Sequence, residues 1–367
     1  MKYMFSILVF THGAIHLMGF LKAYKVAQIE QITAGISKLS GIFWLLAFAL
    51  FMVSGVMYLT KLNYWYVSAF AAAIISTILI GAVWHDAKFG TIANVIILIA
   101  AIVGFGTSSF RNKFEKDVRA DIEQTTTFHK SILTEADIEN LPEPVKKYIS
   151  NSGAIGKPKV NNFRLAFTGK IRKDEKSEWM PITAVQYSFI GDDSRCFFLK
   201  AKMKGLPAVG YHCYRNGEAK MDIRLFSLIK VQYQAGKEMN ISETVTFFND
   251  MCCMAPATLI DNRIKWIETN GNIVRASFTN HNITIFASLF FNDKGELTNF
   301  VSSDRYAYDA KEGMIKLPWS TPLKNYREIN GINRFTTAEA IYKYPEKDFC
   351  YAIFHLTDVD YNFKEMN

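Results

Sequence analysis

Apolar positions follow two regimes along this chain. Up to residue 107 they form four unbroken runs, at 3–21, 39–59, 64–84 and 89–107, none with an Asp, Glu, Lys or Arg inside it. Each approaches the ~20 residues that carry an α-helix across a bilayer core. From Val160 the period changes to two. Phe163, Leu165 and Phe167 alternate with polar neighbours, and similar stretches recur to Tyr361. Asn216-Gly217, Asn270-Gly271 and Asp293-Lys294-Gly295 separate them as turn signals. The pattern predicts roughly a dozen strands, interrupted by one helix over Ser242–Met251 with Ser242 as its cap. The expected fold class is α + β: a four-helix transmembrane bundle over 1–110, then a large antiparallel, half-open β-barrel over 134–367 with one or two covering helices.

Between the regimes, 111–133 reads as a charged connector. Thr134 with Asp137 three residues on marks a helix start, and Pro142–Ile149 reads as a short helix followed by Gly153. Small residues stud the apolar runs, among them Gly41, Gly55, Ala69 and Gly104, where helices can approach closely. Trp44, Tyr64, Trp65, Tyr66 and Trp84 suit the membrane interface.

Charge adds little to this picture. The net formal charge is +8, and residues 1–110 hold six lysines and only two acids, Glu30 and Asp86. The excess is spread over both halves, which suits an anionic membrane surface and not nucleic acid, whose binding needs a clustered basic face. Counting cations in the loops gives Lys2, Lys61, Arg111, Lys113, Lys116 and Arg119 on the side of the chain's flanks, against Lys22, Lys25, Lys38 and Lys88 opposite. That balance leans towards flanks inside. Five cysteines without a CxxC exclude a disulfide framework.

Candidate chemistry begins with His12 and His16, four residues apart on one face of the first run. Ionisable residues inside a span are functional candidates by default. With His85 and Asp86 at the end of the third run they form a possible metal or haem ligand set. The competing reading has His12 and His16 hydrogen-bonding to Ser or Thr on neighbouring helices and fixing their packing. A proton relay is a third. Nothing elsewhere supplies a nucleophile elbow, a phosphate loop or a dinucleotide fingerprint. His129, His212, His281 and His355 are scattered. The β-region is rich in aromatics, and Phe167, Trp179, Phe198, Phe248, Trp266 and Phe290 are either cavity lining or ordinary core. In the pairs Phe197-Phe198 and Phe290-Phe291, one ring of each must leave the main core. Arg305 is a further cavity candidate, expected either to pair with an acid such as Asp250 or Glu268 or to meet a ligand head group.

The words LPEPVKKYI, FRLAFTGKIR, EWMPITAVQY, IKWIE, FFNDKGEL and INGINRFTTAEAIY, in that order and spacing, resemble a family of bacterial membrane-anchored proteins with no assigned activity. HGAIHLMGF and its four-run setting are similar to the family's longer members. The resemblance implies a soluble domain like the Lol-type outer-membrane-lipoprotein carriers, a half-open barrel around an apolar cavity. It implies a lipid or lipoprotein ligand, a bacterial inner-membrane location and a soluble domain outside the cytoplasm, against the charge count. The expected function is binding of a lipid, acyl chain or lipidated partner at the membrane. The alternatives are a redox or metal component using the histidines, and an envelope scaffold.

Overall fold

The computed structural model describes residues 2–125, 131–309, 313–329 and 331–366. His129 and the 126–130 part of the expected connector lie outside these. Two compact units divide the chain, Met1–Asn112 and Lys113–Asn367.

The first unit holds α1 (Lys2–Ala23), α2 (Lys38–Leu59), α3 (Trp65–Ala82), the single turn α4 (Trp84–Ala87) and the start of α5 (Gly90–Gln124). Helices α1, α2, α3 and α5 are long and apolar enough to cross a membrane. Glycines set how closely α1 and α2 pack. A Cβ at Gly55 would fall 2.6 Å from the Phe10 ring, and one at Gly19 would enter the Trp44 indole. The fourth run does not end where its apolar residues do. From Thr107 to Thr125 no Gly or Pro interrupts the chain, and the Lys, Glu, Arg and Asp residues there sustain a helix. The first half of the expected connector is therefore the end of α5.

The second unit opens with the last turns of α5, then α6 (Glu135–Ile138) and α7 (Glu143–Asn151). Thr134 and Asp137 form the expected capping box. The strands are β1 (Asn162–Ile171), β2 (Met180–Phe189), β3 (Ser194–Met203), β4 (Leu206–Arg215), β5 (Glu218–Leu225) and β6 (Ile229–Ala235). Helix α8 (Lys237–Met254) follows, then a 3-10 turn at Pro256–Ile260. The rest are β7 (Ile264–Asn270), β8 (Ile273–Asn280), β9 (Ile283–Phe291), β10 (Leu297–Asp309), β11 (Gly313–Ser320), β12 (Leu323–Lys324), β13 (Arg327–Ile329), β14 (Ile332–Arg334), β15 (Thr337–Lys343) and β16 (Asp348–Tyr361).

One antiparallel sheet runs β6-β5-β4-β3-β2-β1-β16-β15-β11-β10-β9-β8-β7, with β12 beside β15 and β13-β14 as a separate hairpin. It is curled. Helix α8 touches β5 and β6 at one end of that order and β9 and β10 at the other. Strands stand about 4.8 Å apart, so a flat sheet would hold those ends tens of ångströms from each other. The sheet wraps α8, and the expected half-open barrel with a covering helix is what forms. Helix α8 starts earlier than the sequence pattern indicates. Gly236, at φ 101, breaks away from β6 and lets the helix begin at Lys237, which places Ser242 inside it.

Candidate functional site

Helix α8 is polar in sequence and buried in fact. Ser242, Glu243, Thr244, Thr246, Asn249 and Asp250 are all covered, beside Phe247, Phe248 and Met251. Buried polar groups need partners, and the concave face of the sheet supplies them. Arg195 on β3 donates through Nε to Asp250 Oδ2 at 2.7 Å and through Nη1 to Glu243 Oε2 at 3.1 Å. Gln186 on β2 donates to Asp250 at 2.8 Å and accepts from Arg195 at 2.9 Å. Arg305 on β10 lies 4.0 Å from Glu243, donates to the Ser242 carbonyl at 3.0 Å and to the Thr246 hydroxyl, and stacks 4.4 Å from the Trp319 ring centroid. Tyr342 receives its Nε–H at 3.0 Å. Arg305 thus pairs with Glu243, and the two acids expected for it do otherwise: Asp250 goes to Arg195, and Glu268 stands exposed on β7.

Two guanidinium groups face two carboxylates, so the cluster balances without a bound ion. Burial pushes the Glu243 carboxyl up, but Arg195 and Arg305 overcome it and leave it below the ordinary carboxylate range. Burial raises Asp250 against the pull of Arg195. His212 on β4 has Nδ1 4.0 Å from Glu243, and burial pushes it down to about 4, so it is neutral at pH 7. Sequence reasoning missed Arg195 and Glu243, and left His212 among the scattered histidines. A cation on an otherwise apolar strand, in SRCFFL, was the available signal for Arg195.

The concave face is not filled evenly. Cross-strand register aligns Leu199, Gly210 and Ile223, and next to them Ala201, Ala208 and Leu225, with Ile229 opposite Leu225 on β6. Ala201, Ile223 and Leu225 are only half-buried, Ile171 beside them likewise, and Ile229 is 59% exposed. The α8 end of the barrel is thus packed solid, while the end at the β3–β4 and β5–β6 turns presents an open apolar mouth. Two concavities of about 530 and 570 Å³ open elsewhere on the outer surface, between α6 and α7 and beside Arg263.

The seven residues offered as cavity lining go to different places. Phe167 and Phe248 are solid core, the latter stacked on Phe278 at 5.0 Å. Phe198 points to the opposite face and is covered by Phe114 of α5 at 5.1 Å, while Phe197 packs in the core. Trp179 sits at the strand end under Lys170 and Arg172, at 4.9 and 4.5 Å. Trp266 is half-buried on the edge strand β7, and Phe290 is half-buried while Phe291 is buried. Arg305 joins the charged cluster. Residues 113–125 are the cover for the convex face: beside Phe114, Asp117 accepts from Tyr211 at 2.8 Å and Asp121 bonds Arg215 and Ser194.

In the helical unit, His12 and His16 meet Ser76 of α3 and Asn94 of α5. His16 Nδ1 lies 2.8 Å from the His12 carbonyl, which only accepts, so that nitrogen carries the proton. His16 Nε2 then accepts from Ser76 Oγ at 2.8 Å. Ser76 accepts from Asn94 Nδ2 at 2.9 Å, and Asn94 Oδ1 accepts from His12 Nε2 at 2.8 Å. Donors and acceptors close into a ring with both imidazoles neutral. The four-residue ligand set does not assemble. His85 is 97% exposed and among the described residues reaches only Asp86, at 3.4 Å, and Asp86 is taken up by Thr33 and Ala34. Among the described residues no three His, Cys, Asp or Glu side chains gather where a metal would sit. The expected hydrogen bonding to Ser76 is present, whereas Asn94, in the fourth run, was overlooked.

These features define an apolar helical unit joined to a curled antiparallel half-barrel with a helix inside it. The chain belongs to the family of unknown function DUF6544, whose profile matches residues 131–354. No curated protein matches it. Among solved structures, it is similar to a LolA superfamily protein from Nitrosomonas europaea, at 9% identity and TM-score 0.34 over 64% of this chain and 95% of that one. It is also similar to a DUF1329 family protein from Desulfovibrio piger, at 10% identity and TM-score 0.30 over 63% and 94%.

Proposed function

We propose that this chain is an integral membrane protein whose half-barrel takes up the acyl part of a lipid or of a lipidated partner. One observation carries the reading. The concave face is plugged by α8 at one end and left as a half-covered apolar mouth at the other, around Ala201, Ile223, Leu225 and Ile229. Burying an acyl chain there gains about 0.8 kcal/mol per CH₂, so the hold grows with the length of chain covered. The charged cluster below the mouth is internally neutralised and asks for no ionic headgroup. It serves as a rigid floor. The four apolar helices support the membrane location. The closed ring at His12 and His16 supports a packing role for these histidines.

Native mass spectrometry of the full chain, released from membranes in mild detergent, tests this. A co-purifying lipid is expected in a defined stoichiometry. Ile223→Asp, which places a charge in the mouth, should remove it while the fold persists. Lipid-free wild-type protein, or unchanged occupancy in the Asp variant, overturns the proposal.

A further inference from the structure

The mouth is bounded by two adjacent hairpin tips that carry exposed apolar and basic side chains. The β3–β4 turn at Lys204-Gly205 and the β5–β6 turn at Phe226-Ser227 lie side by side, tied by the Phe226 N–H to the Pro207 carbonyl at 2.9 Å. Leu206 is 44% exposed, Leu228 37% and Val231 46%. Lys202, Lys204 and Lys230 stand exposed among them. No acid occurs between Arg195 and Arg215, and at the tip of the second hairpin Asp222 is taken by Arg224 at 2.8 Å. Both turn residues of that hairpin have positive φ, 53° for Phe226 and 59° for Ser227, where Asn-Gly would fit without strain. A bulky side chain is held there at a cost in backbone energy.

We propose that the two hairpin tips dock on the interface of an anionic bilayer, with Leu206, Leu228 and Val231 at the acyl boundary and Lys202, Lys204 and Lys230 at lipid phosphates. This goes beyond acyl-chain binding and gives that chain a route: the apolar mouth opens between the docked tips. It rests on reading the apolar helices as membrane spans. Isolated apolar residues ringed by cations are the signature of interfacial binding, in which each lysine near an anionic surface strengthens contact about fivefold at moderate salt.

Hydrogen exchange of the full chain in nanodiscs tests the docking. One set of discs is phosphatidylcholine alone, the other phosphatidylcholine with phosphatidylglycerol. Amides of 203–207 and 225–231 are expected to exchange at least about tenfold more slowly in the anionic discs. Lys202→Glu, Lys204→Glu and Lys230→Glu together should abolish the difference, while amides of β2 keep their protection and report an intact fold. Equal exchange at the tips in both discs overturns the docking and leaves the acyl-binding proposal to its own readout, the co-purified lipid. A chain that fails to enter the discs at all overturns the span reading and the docking with it.

Discussion

In the helical unit the central polar cluster is His12, His16, Ser76 and Asn94, and none needs a charge. In the β unit the cluster that ties down α8 is built on Arg195, Glu243, Asp250 and Arg305, and all four are ionic groups. Both sets link elements distant in sequence: α1, α3 and α5 in one, α8 with β3 and β10 in the other. The difference lies in what each burial costs if one member is lost. A neutral ring that loses a member leaves single unmatched hydrogen bonds. An ionic cluster that loses a member leaves an uncompensated charge in a poorly solvated place. The β unit has tied its inner helix down with the more brittle device.

Glu243→Ala is the hardest test of that contrast. It strands Arg195 and Arg305, and the β unit should lose about 3–5 kcal/mol, read as a lowered thermal or urea midpoint of the full chain in detergent. Arg195→Met, Glu243→Leu, Asp250→Leu and Arg305→Met together remove all four charges and should recover most of the loss. If Glu243→Ala costs no more than a lost neutral hydrogen bond, the ionic description is wrong.

Acidification probes the same cluster at His212. Its folded pKa is near 4, against 6.5 unperturbed. The unfolded chain therefore binds a proton near 6.5 that the folded chain refuses until about 4. The stability this gives is complete above 6.5, and it drains away as pH falls from 6.5 to 4. The difference is on the order of 3 kcal/mol. His212→Gln should flatten the curve in that window. An unchanged slope would mean that His212 is neutral for no reason of burial.

Much of this architecture is written in local pattern. The four apolar runs, the period-two strands and the Thr134–Asp137 cap follow from spacing and turn chemistry, which act over a few residues. What spacing does not carry is pairing across the barrel. Arg195 and Glu243 are 48 residues apart, and nothing in either's neighbourhood names the other. The same holds for Phe198. Alternation shows that it leaves the core, but only the continuation of α5 past its apolar stretch reveals Phe114 as its cover. Asn94 escaped notice because a lone Asn in an apolar run reads as tolerated polarity. It becomes the centre of a ring once α1, α3 and α5 converge.

Asn94→Leu sharpens the neutral side of the comparison. It removes the acceptor for His12 and the donor for Ser76 and adds no charge. The expected loss is about 1–2 kcal/mol, the range of interhelical hydrogen bonds in apolar surroundings, read from detergent-induced unfolding of the full chain. A loss as large as that of Glu243→Ala would show that the ring is as brittle as the ionic cluster.

The smallest effect belongs to His85, and it separates packing from ligation. Its side chain is 97% exposed, and its partner, Asp86, is held by Thr33 and Ala34. The Ala34 N–H, then the Thr33 hydroxyl and N–H, keep the Asp86 carboxyl ionised down to about 2, with His85 the last contributor. An exposed ion pair of this kind contributes little. His85→Ala should therefore leave the unfolding midpoint within experimental scatter at any pH above 4, whereas Asp86→Ala frees the Thr33–Ala34 backbone and loosens the α1–α2 loop, read as faster amide exchange there. If His85→Ala instead destabilises the helical unit as much as Asn94→Leu, then His85 acts on His12 and His16 through something other than hydrogen bonds. Metal titration of that variant against the wild type would then show a difference that the ring of neutral groups does not predict.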